Sequence, residues 1–91
     1  MSAKQARRKQ PFAISAPAAQ SVAVAGSFTN WEQSPVPLKR QKNGVWKTTL
    51  ELGPGQHEYR FLVDGQWVDD PDCPQRAPNP FGSENCVRQV G

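Results

Sequence analysis

The sequence has a single histidine, only two cysteines and no long apolar run, and each shortage removes a class of function. His57 alone cannot build a zinc site, and no ligand spacing links it to Cys73 or Cys86. The two cysteines could close one bridge if they face each other, but reduced thiols of a cytoplasmic protein are the expectation. Nothing approaches the roughly 20 apolar residues that cross a bilayer. The charged N-terminus is followed by no apolar segment of the kind a secretory signal needs. Catalytic signatures are missing too: there is no Gly-x-Ser-x-Gly elbow, no glycine-rich phosphate loop and no metal-binding pair. The expectation is a protein that is not an enzyme and needs neither cofactor nor metal.

What is present suits one small domain. Ninety-one residues can bury a modest core without metals or several disulfides. Nine prolines and seven glycines argue against a helical bundle, because both are costly in helix interiors and both punctuate short strands. The formal charge of +3 is unevenly spread. Residues 1–10 hold Lys4, Arg7, Arg8 and Lys9 with no acidic partner, while the other 81 residues carry seven basic and eight acidic side chains, a net of −1. Residues 1–10 are therefore expected to be a disordered, solvated basic tail, with the domain proper spanning 11–91.

Apolar residues alternate with period two. Phe12 and Ile14 form one pair, Val22 and Val24 another. Trp46, Thr48, Leu50 and Leu52 share a parity, as do His57, Tyr59, Phe61 and Val63. Such alternation turns one face to a core and the other to solvent. Turn chemistry separates the runs at Asn43-Gly44, Gly53-Pro54-Gly55 and Asp64-Gly65. The reading is an all-β protein, an antiparallel β-sandwich, with a hairpin from Trp46 to Val63 as its clearest element. The Pro-rich stretch 69–80 reads as an ordered surface loop, and 85–90 as a last strand.

Asp69, Asp70 and Asp72 form an acidic cluster, but they are neighbours on one Pro-rich loop and not carboxylates from opposite walls of a cleft. A turn-forming, capping role is expected for them. The aromatics say more. Trp46 has core parity with Leu50 and Leu52, whereas Trp31, Trp67 and Phe81 fall at loops or strand edges, where large rings are costly to leave in water. Sugar rings present flat C–H patches that stack on such faces, and their hydroxyls need planar polar partners. Arg60 lies between core-facing Tyr59 and Phe61, so it points to the outer face of its strand. Asn85 donates and accepts at once, which suits vicinal hydroxyls.

These residues belong to a larger pattern. The segments Val22-Ala23-Val24-Ala25-Gly26-Ser27-Phe28-Thr29-Asn30-Trp31, Gly44-Val45-Trp46, Pro54 through Trp67, Asp70-Pro71 and Gly82-Ser83-Glu84-Asn85 occur in that order. The series resembles carbohydrate-binding module family 48, and within it the glycogen-binding domain of AMP-activated protein kinase beta subunits. It covers nearly the whole chain, from about Pro11 to Val90. The resemblance implies an early-set immunoglobulin-like sandwich and a cytoplasmic α-glucan site for glycogen, maltooligosaccharide or cyclodextrin. It implies that Trp31 and Trp67 stack on glucose units and that Asn85 bonds hydroxyls. Arg60 stands where the family has a lysine, keeping the charge and adding a planar donor fork. Phe81 stands where the family has a leucine that threads into a cyclic glucan, and Thr29 where an asparagine is common. The family's C-terminal assembly region has no counterpart here, so a free-standing glucan-binding adapter is the simplest expectation.

Two other readings stay open at this point. One is a protein-interaction or structural module docking on a glycogen-metabolising enzyme or kinase. The other is nucleic-acid binding through the basic segment and exposed aromatics, which the near-neutral domain makes the weaker of the two.

Overall fold

The computed structural model describes residues 7–73, 75–79, 82 and 84–90. Among them nine strands follow along the chain: β1 (Arg8–Ser15), β2 (Val22–Gly26), β3 (Val36–Pro37), β4 (Lys39–Arg40), β5 (Val45–Leu52), β6 (Gly55–Val63), β7 (Gln66–Val68), β8 (Arg76–Pro78) and β9 (Glu84–Val90). A single 3-10 turn at Trp31–Gln33 is the only helical element among the described residues. The smaller sheet has the order β1-β5-β4 and the larger β3-β2-β6-β9-β8, with β7 also paired to β6. Every pairing is antiparallel, and the two sheets pack as the expected β-sandwich.

The alternating residues are the ones that fill the space between the sheets. Phe12, Ile14, Val22, Val24, Trp46, Leu52, Tyr59, Phe61, Cys86 and Val90 are buried together. Tyr59, Phe12 and Phe61 meet edge-on or close to it, with Tyr59 5.0 Å from Phe12 and 5.9 Å from Phe61. Each such aromatic contributes about 2 kcal/mol by the apolar area it removes from water. Trp46 belongs to the same core, and its indole N–H donates to the Ala16 carbonyl at 2.9 Å, so the ring is buried without an orphaned donor.

Three details depart from the expectations. Strands β5 and β6 do not form a hairpin: β5 pairs with β1 and β4, while β6 pairs with β2, β7 and β9. Gly53-Pro54-Gly55 instead carries the chain from one sheet to the other, with Gly55 at φ 124. Both arrangements bury the same parity of residues, so alternation alone does not choose between them. The stretch read as a loop contains β8, whose Arg76 and Pro78 pair with Cys86 and Glu84 at the sheet edge, where a proline is tolerated. Finally, β1 begins at Arg8, so Arg8, Lys9 and Gln10 of the segment read as a tail are paired with Leu52, Glu51 and Leu50. Arg88 ties this strand to β9, with its guanidinium 4.4 Å from the Phe12 ring centroid and bonded to the Pro11 carbonyl at 3.0 Å and to Gln10 Oε1 at 3.2 Å.

Candidate functional site

The loop after β2 delivers Trp31 to the outer side of the larger sheet. It starts at Gly26, where an added Cβ would collide with the Glu58 carbonyl, so the close approach of β2 to β6 requires glycine. Thr29, which is buried, pins the loop: its hydroxyl accepts from the Gly26 amide at 3.0 Å and lies 3.0 Å from the Trp31 carbonyl. A threonine therefore does here what a short polar side chain must do, which accounts for its place in the motif. Asn30 and Trp31 both adopt left-handed backbone, at φ 58 and φ 56. Asparagine tolerates this readily, but tryptophan there is an outlier, and such conformations cost on the order of 1–3 kcal/mol. That strain is spent on aiming the indole.

Trp67 arrives from the other side. Asp64 and Gly65 turn the chain with φ 50 and φ 82, and β7 lies back on β6 with Trp67 opposite Leu62. The Asp64 carboxylate fixes this turn by accepting from the Gln20 and Ser21 amides at 2.8 and 2.9 Å. Trp67 is 40% exposed, an unusual state for so large a ring, and its centroid lies 6.4 Å from that of Trp31. The two rings are inclined at 68°, forming two walls of an angle and not a flat floor.

Arg60 lies beside them. Its guanidinium is 5.8 Å from the Trp67 ring centroid, and its Nε donates to Asp69 Oδ1 at 2.9 Å. Its terminal nitrogens make no protein hydrogen bond among the described residues, and the side chain is 17% exposed. Asp70, the neighbour of Asp69 in the chain, is held by the core. Tyr59, on the inward side of β6, sends its hydroxyl to Asp70 Oδ2 at 2.6 Å, and Asp70 Oδ1 accepts from the Asp72 amide at 2.9 Å. The capping role expected for the acidic loop thus holds for Asp70, while Asp69 pairs with two arginines, the second being Arg76 at 2.9 Å. Burial, and then the Asp70 bond, push the Tyr59 phenol well above its ordinary range. Cys86 sits in the same interior and accepts from the Asp70 amide at 3.3 Å; burial pushes its thiol up to about 12. Both cysteines are free thiols.

Asn85 comes to the same sheet but is more enclosed than an open sugar-binding amide. It is buried, donates through Nδ2 to Glu58 Oε1 at 3.0 Å, and accepts from Asn79 Nδ2 at 3.0 Å. Phe81 lies outside the described residues. Trp67 thus lies in reach of both Trp31 and Arg60, and Asn85 belongs to a side-chain network with Glu58 and Asn79. Reasoning from sequence missed Glu58 and Arg76 and gave Asp69 only a capping role; the outward parity of Glu58 next to Arg60 was the one available signal. Elsewhere, a cleft of about 510 Å³ opens where β5 leads into β6, lined by Phe28, Leu50, Leu52 and His57, with none of the expected site residues in its walls. Among the described residues no three His, Cys, Asp or Glu side chains converge as a metal would require, and no helix is long and apolar enough to cross a membrane.

Comparison with known proteins shows the family of the chain. The family described as the glycogen recognition site of AMP-activated protein kinase matches residues 15–91. The chain is 42% identical over 71 residues to the 5'-AMP-activated protein kinase subunit beta-1 of Sus scrofa, covering 78% of this chain and 55% of that one. It is 41% identical over 71 residues to the beta-1 subunit of Homo sapiens and 39% identical over 74 residues to the beta-2 subunit of Mus musculus, covering 25% and 27% of those chains. It therefore spans about half or less of these relatives. Among solved structures, apo pullulanase from Paenibacillus barengoltzii shares the fold with a TM-score of 0.58 at 22% identity, over 98% of this chain and 15% of that one. The chain belongs to the family of glycogen recognition sites of AMP-activated protein kinase.

Proposed function

We propose that the chain is a non-catalytic adapter that binds α-1,4-linked glucan, glycogen or a starch-like chain, by stacking glucose rings on Trp31 and Trp67. The observation that carries this reading is the meeting of two partly exposed indoles, 6.4 Å apart, with a guanidinium 5.8 Å from the Trp67 ring. An α-1,4 chain curves, so consecutive rings face different directions; walls inclined at 68° suit it better than a flat platform would. The Arg60 fork is then available to bond vicinal hydroxyls, and Asn85 lines the margin. Maltooligosaccharides and cyclodextrins are the soluble equivalents. Phe81 is assigned the apolar wedge beside the rings on the strength of its position in the motif. A cytoplasmic setting fits two buried free thiols. The relatives are named as kinase subunits, so a kinase or a glycogen-metabolising enzyme is the partner class that an adapter of this family would bring to the glucan.

Co-sedimentation with glycogen tests the reading. The wild-type chain should pellet with the polymer and be released by soluble maltoheptaose, and Trp67→Ala should remain in solution. A folded wild-type chain that stays in the supernatant removes the glucan reading in favour of protein docking.

A further inference from the structure

Among the described side chains, cations and a carboxylate are paired beside Trp67. Arg60 and Arg76 share a single carboxylate: Asp69 Oδ1 accepts from Arg60 Nε and Oδ2 from Arg76 Nη1, both at 2.9 Å. The second acid is Glu58, bonded to Asn85. Arg76 comes from the edge strand β8 and also donates through Nη2 to the Asp70 carbonyl at 3.3 Å. The bridge is part-exposed: side-chain exposure is 17% for Arg60, 37% for Asp69 and 33% for Arg76. A carboxylate between two guanidiniums does two things here. It fixes the Arg60 plane beside Trp67 through Nε, with the terminal nitrogens bonded to none of the described residues, and it removes one positive charge from the site.

We propose that Asp69 is the specificity-determining residue of this face, making it selective for neutral glucans over anionic ones bearing phosphate or sulfate esters. The inference rests on the glucan reading above and adds to it the class of polysaccharide that is refused. Two guanidiniums within reach of one carboxylate are the groups that recognise phosphate or sulfate in a bidentate way. With Asp69 in place each guanidinium is already bonded to a carboxylate, Arg60 through Nε and Arg76 through Nη1, and an incoming ester meets the Asp69 carboxylate as well as the cations. Discrimination of this kind comes from placing a repulsive group against the wrong ligand, not from added contacts to the right one. A neutral sugar feels no net field and still finds the Arg60 donors. Asp69 is thus a positioning residue for Arg60 and a filter on charge.

Calorimetric titration of wild type and Asp69→Asn at low salt, each with β-cyclodextrin and with its sulfated derivative, tests this. Asparagine keeps the shape of the side chain while dropping its charge. The wild-type chain should prefer the neutral ligand. In Asp69→Asn the sulfated ligand should gain about fivefold or more, the effect of one unit charge near a protein surface, while the neutral ligand loses no more than a few-fold. Raising the salt should erase that gain. Adding Arg76→Gln to Asp69→Asn should also abolish most of it, a reversal that a merely structural role would not produce. An unchanged sulfated-to-neutral ratio in folded Asp69→Asn overturns the inference and leaves the glucan reading standing. If Asp69→Asn does not fold, Arg76→Gln alone decides: it should lower the sulfated-to-neutral ratio, and a ratio that rises or stays fixed overturns the inference. A wild-type chain that ignores β-cyclodextrin overturns both.

Discussion

On the outer face of the smaller sheet Lys39 stands directly opposite Lys47, Lys9 lies further along, and none of the three makes an ion pair among the described residues. On the outer face of the larger sheet Arg60 is locked to Asp69 and Glu58 is bonded to Asn85, beside two indoles. The first face spends nothing on order: its lysines are exposed and hydrated, and like charges directly opposite are mildly unfavourable. The second holds its side chains in fixed positions through bonds that run back to the buried Tyr59–Asp70 pair. The difference shows that composition alone does not order a face. Both faces are rich in charge, but only one has its rotamers fixed before a ligand arrives, which reduces the ordering cost of binding.

The comparison extends to the tryptophans, and the largest expected effect separates them. Trp46 lies between the sheets, so Trp46→Ala should cost about 3–5 kcal/mol and sharply lower the melting temperature. Trp67→Ala should melt much closer to wild type, because its ring lies outside the core and is 40% exposed. Equal melting temperatures for the two variants would break the distinction between core and site.

Binding should sort in the opposite sense. Trp67→Ala and Trp31→Ala should each weaken maltoheptaose binding by about tenfold or more, the loss of some 1.4 kcal/mol or greater expected for an aromatic anchor. Trp31→Ala should also recover some stability, since alanine bears left-handed backbone with less crowding than an indole. Titration calorimetry with paired melting curves checks both.

A smaller effect concerns the interior that supports the site. Cys86 has its thiol raised from 9.0 to about 12, and Tyr59 is raised as well. Both groups are neutral in the fold and ionise more readily once unfolded. The stability they contribute is complete below pH 9 and is lost as the pH climbs from about 9 towards 12. Stability measured by urea should therefore be flat near neutrality and fall through that alkaline window. A fall beginning near neutral pH would mean the thiol and phenol are not sheltered.

The smallest effect falls on the lysine face. Lys47→Glu replaces a like-charged pair with an opposite one, and should raise stability by about 0.5 kcal/mol without altering glucan affinity. Loss of glucan binding in that variant would place the ligand on the wrong sheet.

What could be read from the sequence was local. Strand parity identified Phe12, Val24, Trp46, Tyr59 and Phe61 as core because each strand reports its own inward side. Trp31, Arg60 and Trp67 stood out because each breaks or opposes that parity. What could not be read depended on distant partners. The Gly53-Pro54-Gly55 turn looked like a hairpin because sheet membership is decided by β1 and β9, far away in the chain. Gln10 and Arg88 meet across 78 residues, which is why the basic segment passed for a tail. Asp69 was grouped with Asp70 and Asp72 as a capping loop, yet its partners are fixed only when β6 and β8 come together.

The most direct test of the glucan site is a two-dimensional NMR titration with β-cyclodextrin, following the three indole N–H signals. The Trp31 and Trp67 signals should shift together and saturate at one ligand concentration, the same at low and high salt because the sugar is neutral. The Trp46 signal, bonded to the Ala16 carbonyl, should stay where it is. Indole signals that remain fixed at millimolar ligand, or a response confined to residues of the lysine-bearing sheet, would contradict the account.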